Sequence, residues 1–147
     1  MKKEDLAKKM LEVVPPLLNL IRTEVRECAK PSLSVPQFRV LANINRGLNR
    51  TGDIAGHHGV SQPSMTKLVN NLVENELVYR EHDEKDRRSI HLHLTTKGRT
   101  TFNNIKKQAY KKLAVKFDCL EESELDELLQ LMDAAEKFLH KLLGERK

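Results

Sequence analysis

The sequence contains no tryptophan, and aromatic residues of all kinds make up only 4% of it. This scarcity argues against a β-sandwich or barrel and favours a helical, soluble protein. Two cysteines, Cys28 and Cys119, are too few for a disulfide framework. No apolar run approaches the roughly 18 residues of a membrane span, and Glu4, Asp5 and Pro15 interrupt any signal-like apolar segment. We therefore expect a cytoplasmic protein that does not enter a membrane.

The 147 residues suffice for one domain, and a domain of that size buries about 68–70% of its unfolded surface. Charged residues make up 32% of the chain, and the formal net charge is +5. A positive charge permits nucleic-acid binding without establishing it. Its distribution is more informative, because acidic residues dominate 121–133 whereas basic residues crowd the middle of the chain. The basic residues there are Arg80, Lys85, Arg87, Arg88, Lys97 and Arg99.

Helix signals organise the first third of the chain. Apolar residues recur at helical spacing up to Val25, and Pro15 and Pro16 are expected to kink or divide this first helix. Ser34 and Gln37 have the spacing of a capping box, so a second helix is expected to begin there and to end before the next glycine. The short stretch 48–50 could add a third strand to a sheet farther along the chain.

The stretch "TGDIAGHHGVSQPSMTKLVNNLVENELV" has the pattern of a helix-turn-helix. Thr51 can cap a short helix, Gly59 can adopt the left-handed conformation at the turn, and Ser61 can cap a second helix with Pro63 in its first turn. Apolar side chains are then expected to face inward. These are Ala55, Val60, Met65, Leu68, Val69 and Leu72.

The other face of the second helix carries short, mostly neutral side chains that form hydrogen bonds. Such a face can enter a major groove of DNA without a large desolvation cost. The predicted recognition residues are Ser61, Gln62, Pro63, Ser64, Thr66, Lys67 and Asn70.

Alternating residues in 77–82 and 90–94 predict two antiparallel strands, and the charged tip "DEKDRR" lies between them. A hairpin directly after a recognition helix makes a winged helix-turn-helix, with the wing at roughly 83–88. Asp86 is expected to hold one arginine by a charge-assisted hydrogen bond while the other enters a minor groove, and the sequence leaves open which does which. The predicted wing residues are Lys85, Asp86, Arg87 and Arg88.

With these motifs the sequence resembles the MarR (multiple antibiotic resistance regulator) family of bacterial transcription factors. The resemblance extends from "PQFRVLANI" through "VSQPSMTKLVNNLVENELVYR" and "DEKDRRSIHLHLTTKGR" to the closing helices. It implies a dimer that binds double-stranded DNA, with contacts around Gln62 to Lys67 and from Arg87 or Arg88, and it suggests a small aromatic ligand. The chain departs from the family pattern at 56–58, where stronger helix formers are usual, and at Glu121, where Ser or Thr would cap the last helix.

The last helix has an apolar stripe at alternating spacings of three and four, which is typical of a helix pair between subunits. Packing within its own domain is the simpler alternative, but a domain with two such terminal helices cannot bury both stripes by itself. We therefore predict a single domain over 1–147, with dimerisation helices in 1–33 and 100–147 and a DNA-binding part in 34–99. The predicted dimerisation residues are Leu17, Ile21, Leu125, Leu128, Met132, Leu139 and Leu142.

The histidines and Cys28 each allow two interpretations. The histidines could form a metal site. Without a second pair at ligand spacing, we expect them to face solvent, with no metal or cofactor. Cys28 could be a peroxide-sensing thiol. Because nothing in the sequence would lower the pKa of that thiol, we expect it to be buried and inert. The histidines concerned are His57, His58, His82, His91 and His93.

These patterns and the family resemblance together favour a dimeric, sequence-specific DNA-binding regulator. The resemblance implies in particular a repressor of a pseudo-palindromic operator whose affinity responds to a small ligand. The alternative is a winged-helix interaction module that binds protein or nucleic acid without operator specificity. An enzyme is not expected, because the sequence has no glycine-rich phosphate loop, no Walker-type lysine, and no Ser or Cys nucleophile with an assignable base.

Overall fold

The computed structural model describes residues 1–144, and those residues form six helices and two strands. The prediction of a mainly helical protein with a small antiparallel wing is confirmed. Two compact units are distinguished, one spanning Met1–Tyr110 and the other beginning at Lys111. The last three residues of the predicted segment 100–147 lie outside the described residues. The elements are α1 (Lys2–Ala29), α2 (Val35–Asn45), α3 (Thr51–His58), α4 (Gln62–Glu74), β1 (Val78–His82), β2 (Ile90–Leu94), α5 (Thr96–Lys116) and α6 (Glu122–Leu143).

Helix α1 runs without a break through Pro15 and Pro16, so the prolines do not divide it. A proline has no backbone N–H, so the carbonyls of Leu11 and Glu12 lose their helical partners. This stretch is exposed in the single chain, and water can therefore bond those two carbonyls. The helix continues because the rest of its hydrogen bonds are intact on both sides of the pair.

The predicted capping box at the start of α2 is confirmed. Ser34 Oγ accepts from the backbone N–H of Gln37 at 3.3 Å, and Gln37 Oε1 accepts from the backbone N–H of Ser34 at 2.8 Å. The helix then buries Val40, Leu41 and Ile44 in the core. It ends before Gly47, whose φ of +94° lets the chain turn away.

The turn between α3 and α4 forms as predicted, with Gly59 in the left-handed conformation and Ser61 as the cap of α4. The prediction that Thr51 caps α3 is wrong. Thr51 is already the first helical residue, and Arg50 is the N-cap, with an extended backbone and a carbonyl that accepts from the Ile54 N–H at 3.0 Å. Arg50 has no side-chain oxygen, so α3 begins without a side-chain cap.

Most apolar residues of the two helices are buried as predicted, but Val60 is 42% exposed. The backbone N–H of Val60 donates to the carbonyl of Ala55 at 3.1 Å, which closes the turn around Gly59. Val60 therefore lies beyond the turn, where its side chain does not reach the core. Leu68 is only partly buried, packed against the edge of the core.

Strands β1 and β2 pair antiparallel, with Val78 opposite Leu94 and Arg80 opposite Leu92. The sheet within residues 1–144 has two strands, so the predicted third strand at 48–50 is wrong. One backbone hydrogen bond does join this stretch to β2: the Leu92 N–H donates to the Asn49 carbonyl at 2.8 Å. The connection from α2 to α3 is too short to add a ladder.

The segment that joins the sheet to α5 holds the end of α4 in place. Thr95 Oγ1 accepts from the Gly98 N–H at 2.9 Å and donates to the Glu76 carbonyl at 2.5 Å. Lys97 Nζ donates to the Asn75 carbonyl at 3.0 Å. Gly98 packs so closely that a Cβ there would collide with the backbone carbonyl of Leu77.

The second unit contains α6, which forms although Glu121 replaces the usual Ser or Thr before it. Glu124 Oε2 accepts from the backbone N–H of Glu121 at 2.8 Å, so an acidic side chain bonds the free amide. Gly144 ends the helix in the left-handed conformation. Within residues 1–144, no helix combines the length and apolar character needed to cross a bilayer.

Candidate nucleic-acid interface

Helix α4 separates its side chains cleanly into two faces. Met65, Val69 and Leu72 are fully buried, which fixes the rotation of the helix about its axis. All seven predicted recognition residues are exposed on the surface of this helix and at its cap. They are Ser61, Gln62, Pro63, Ser64, Thr66, Lys67 and Asn70.

The N-terminal end of this face is shaped by the cap and by α3. Ser61 Oγ donates to Ser64 Oγ at 2.9 Å and accepts from the Ser64 backbone N–H, so the two hydroxyls are already bonded to each other. The side chain of Gln62 lies over Gly52, where an added Cβ would come within 2.6 Å of Gln62 Nε2. The glycine in α3 thus leaves the space that Gln62 occupies.

Two adjacent asparagines tie α4 to other elements. Asn70 Oδ1 accepts from Arg80 Nη2 on β1 at 2.5 Å, and Asn71 Oδ1 accepts from Gln37 Nε2 on α2 at 2.6 Å. The sequence-based prediction missed Arg80, Gln37 and Asn71 as parts of this site. Their partners lie 10 and 34 residues away in the sequence, and no local pattern signals bonds over such separations.

The wing occupies the connection between β1 and β2, and its tip is ordered by side chains that accept backbone hydrogens. Asp83 Oδ1 accepts from the Lys85 N–H at 2.9 Å, and Asp86 Oδ1 accepts from the Arg88 N–H at 3.0 Å. The Lys85 amide and then His91 hold the pKa of the Asp83 carboxyl below its usual value.

Asp86 does bond one of the two arginines, but the donor is the backbone N–H of Arg88 and not its guanidinium. The carboxylate is directed at the backbone amide two residues ahead, an arrangement that stabilises a tight turn. The side chains of Lys85, Arg87 and Arg88 are all exposed at the tip. Both arginines are therefore available to a negatively charged partner.

His57 and His82 are exposed as expected, whereas His58, His91 and His93 are half-buried. His58 bonds a buried asparagine, His91 lies between Asn49 Oδ1 at 3.2 Å and Asp83 Oδ2 at 3.4 Å, and His93 stacks on a tyrosine ring. These contacts account for their partial burial. Across the described part of the chain, no three His, Cys, Asp or Glu side chains are grouped so that they could hold a metal ion.

Cys28 is buried in the core beside Val25 and Ala29. Burial among apolar neighbours is the environment of the inert thiol that the sequence favoured. Cys119 in the second unit is exposed, and its Sγ donates to the Lys116 carbonyl at 3.5 Å.

The predicted dimerisation residues leave apolar surface uncovered in the single chain. On α1, Leu17 and Ile21 are 38% and 37% exposed, and the large apolar residues before them are more exposed except Val14, at 37%. On α6, Leu125 is half-buried, and exposure rises to 75% at Leu142. The remaining predicted residues of α6, all exposed, are Leu128, Met132 and Leu139.

Residues 33–90 match the model of the MarR family, a range that contains α2, α3, α4, β1 and the wing. The uncharacterized HTH-type transcriptional regulator YfiV of Bacillus subtilis is 32% identical over 102 residues, covering 69% of this chain and 64% of YfiV. That match thus spans less than two thirds of the length of YfiV. YpoP, another uncharacterized HTH-type transcriptional regulator of Bacillus subtilis, is 28% identical over 118 residues, covering 80% of this chain and 84% of YpoP.

Among solved structures, wild-type MarR from E. coli in its apo form superposes with a TM-score of 0.74. The match covers 84% of this chain and 94% of that one, at 19% sequence identity. A likeness at this identity establishes the fold, and the fold is a helix-turn-helix followed by a two-stranded wing.

Proposed function

We propose that this chain is a member of the MarR family of transcriptional regulators and that it acts as a dimeric, sequence-specific DNA-binding protein. One observation carries the proposal. The face of α4 with Gln62, Thr66 and Lys67 is exposed beside a wing whose two arginines are exposed as well.

An α-helix fits into the major groove of DNA, which is about 12 Å wide, and short hydrogen-bonding side chains there can read base edges. Gln62 can bond adenine in a bidentate manner, and Lys67 can bond guanine. The wing follows α4 after only a few residues, so it can reach the adjacent minor groove, where arginine is favoured by the negative potential. Together the two elements supply base contacts and groove contacts along one DNA face.

Dimerisation is supported by the apolar residues left uncovered on α1 and α6. A stripe such as Leu128, Met132 and Leu139 is costly to leave in water and is typical of a helix pair between subunits. Two subunits related by a two-fold axis would place two recognition helices on a pseudo-palindromic site. We propose this homodimer as the DNA-binding form.

We also propose that the protein is a repressor whose DNA affinity is lowered by a small aromatic ligand, as the family resemblance suggests. A regulator of this kind works where the chromosome lies, which makes the cytoplasm its proposed compartment. The family consists of transcriptional regulators, and the expectation that this chain has no enzymatic activity stays a prediction.

The experiment is selection of bound fragments from the source genome by the full chain, followed by competition with random duplex DNA at two salt concentrations. We expect a two-fold-related sequence that stays bound in excess random DNA. Gln62→Ala and Lys67→Ala should each change which sequences are selected, at a cost of about 1–3 kcal/mol on the original site. If random DNA displaces every fragment equally, the chain is a winged-helix interaction module without operator specificity.

The ligand part of the proposal is tested on the selected fragment. Addition of a small phenolic carboxylate series should release the DNA for at least one member, measured by fluorescence anisotropy. A matched aliphatic carboxylate series serves as the control. Release by both series alike would assign the effect to ionic strength rather than to aromatic recognition.

A further inference from the structure

We propose that Arg80 on β1 binds a DNA phosphate beside the recognition helix, and that Asn70 is the positioning residue that holds its guanidinium there. This inference rests on the proposed DNA-binding function. It assigns Arg80 a role that the sequence pattern did not suggest, and it changes the role of Asn70, which the pattern grouped with the side chains that read bases.

The bond between the two side chains leaves the charge of Arg80 available. Arg80 Nη2 donates to Asn70 Oδ1 at 2.5 Å, which uses one of the five N–H donors of a guanidinium. Because an amide oxygen is neutral, the pair keeps a full positive charge, whereas a carboxylate partner would cancel it. Within the described residues, Arg80 has no such carboxylate partner.

The position along α4 matches the edge of a groove. Asn70 lies eight residues after Gln62, and at 1.5 Å per residue this places it about 12 Å farther along the helix axis. The major groove is about 12 Å wide, so a helix that reads bases near its N-terminal end carries Asn70 to the phosphates that border the groove. Side chains at such a position fix the register of the protein on the duplex.

Arg80 projects from a backbone that is held on both sides. It pairs with Leu92, which is fully buried, and the Leu92 N–H is bonded in turn to the Asn49 carbonyl. Next to Asn70, Asn71 is bonded to Gln37 of α2. A guanidinium on such a frame loses less freedom when it binds phosphate than one on a loop, which favours binding.

The bond to Arg80 makes reading of a base by Asn70 less favourable. Asparagine recognises adenine with its amide oxygen and nitrogen together, in a bidentate contact. The oxygen of Asn70 already uses one of its two acceptor positions for Arg80, which fixes the orientation of the amide, so a base contact would have to share that oxygen in the same geometry. A phosphate oxygen, in contrast, can accept from the remaining donors of Arg80 while Asn70 keeps its place.

The test is a salt series on the full-length protein, with the selected duplex and with a random duplex. Each phosphate contact contributes about 0.9 to the slope of log K against log salt on B-DNA. We expect Arg80→Gln to lower the slope by about that amount on both duplexes, and Arg80→Lys to keep it. Lys111→Gln, which removes the same charge from the second unit, is the control and should change the slope less.

Asn70 is tested by a double-mutant cycle. We expect Asn70→Ala to weaken binding by the same factor on all sequences and to have little further effect in the Arg80→Gln background, because both changes disable one phosphate contact. An altered sequence preference in Asn70→Ala would make it a base-reading residue and overturn the pairing role. An unchanged slope in Arg80→Gln would overturn the phosphate contact.

Failure of the proposed function gives a different result. If the wild-type protein prefers no sequence, operator specificity is lost, but the slope on random DNA still decides whether Arg80 binds phosphate. Thermal unfolding of each variant should match the wild type, because both side chains are exposed. A slope that falls as much in Arg80→Lys as in Arg80→Gln would also overturn the proposal, since lysine retains the charge.

Discussion

Asn43 Nδ2 lies 2.7 Å from His58 Nε2, and the pair joins the end of α2 to the last residue of α3. Asn43 is buried, and its Oδ1 accepts from Arg46 Nη2 at 3.0 Å. Because the amide oxygen is bonded to arginine, the amide nitrogen faces the ring and donates to it. His58 Nε2 must then be unprotonated, so the imidazole is neutral with its hydrogen on Nδ1.

This pair predicts a pH dependence of stability. Partial burial first, then the charge of Arg39 and the neighbouring His57, lower the pKa of His58 from 6.5 to about 4. Between these values the unfolded chain binds a proton that the folded chain does not, so the free energy of unfolding falls as the pH falls from 6.5 towards 4. Urea unfolding at pH 7 and pH 5 measures the difference.

His58→Gln should reduce that pH dependence, because glutamine can accept from Asn43 and does not titrate. His82→Gln, a change at an exposed histidine, serves as the control and should keep the wild-type dependence. Equal loss of stability on acidification in wild type and His58→Gln would show that other groups cause it.

A change from glycine to alanine is expected to have opposite effects on stability at Gly98 and at Gly56. Gly98→Ala should destabilise the protein by about 1–3 kcal/mol, because the new Cβ would collide with the carbonyl of Leu77 and push α5 from the end of α4. Gly56→Ala in α3 meets nothing within 4 Å and should stabilise by about 0.4–1 kcal/mol. Chemical unfolding of the two variants and the wild type measures these differences. An unchanged free energy of unfolding in Gly98→Ala would mean that the backbone around Leu77 shifts at little cost.

The arginines of the wing are expected to affect DNA affinity but not the stability of the fold. Replacing Arg87 and Arg88 together by alanine should leave the melting temperature nearly unchanged, because neither guanidinium is buried. Operator binding should weaken by tenfold or more, about 1.4 kcal/mol, and most on sites with A·T-rich flanks, whose minor grooves are narrow.

The matched control for the wing removes the same charge elsewhere, with Lys111 and Lys112 changed to alanine. Anisotropy titrations on one duplex compare the two double variants. If both lose affinity equally, net charge explains the effect and the wing is only a structural hairpin.

The assembly prediction uses the apolar stripe of α6. Leu128→Glu with Leu139→Glu should give a monomer in sedimentation and lose tight DNA binding at the same time, because a charge in a helix interface costs desolvation energy. Lys137→Glu, at an exposed position outside the stripe, is the control and should stay dimeric. A monomeric double variant with full affinity for the selected site would contradict the proposed dimer.

Local sequence determined most of the elements and several of their ends. The capping box of Ser34 and Gln37, the left-handed turn at Gly59 and the alternating pattern of the wing strands all depend on residues within a few positions of each other. Each of these signals acts through hydrogen bonds or backbone sterics over one turn of chain, which is why it can be recognised without the fold. The separation of α4 into a buried and an exposed face follows from its periodicity in the same way.

Tertiary structure decided which polar groups meet. Val60 looked apolar enough for the core, yet the reversal of the chain at Gly59 leaves it exposed. Asp86 looked like a partner for arginine, but the turn geometry directs its carboxylate to a backbone amide. His58 meets Asn43 and Arg80 meets Asn70 only because helices and strand pack together. Hydrogen bonds between distant side chains depend on distances of about 3 Å that packing alone fixes, and no periodicity in the sequence encodes them.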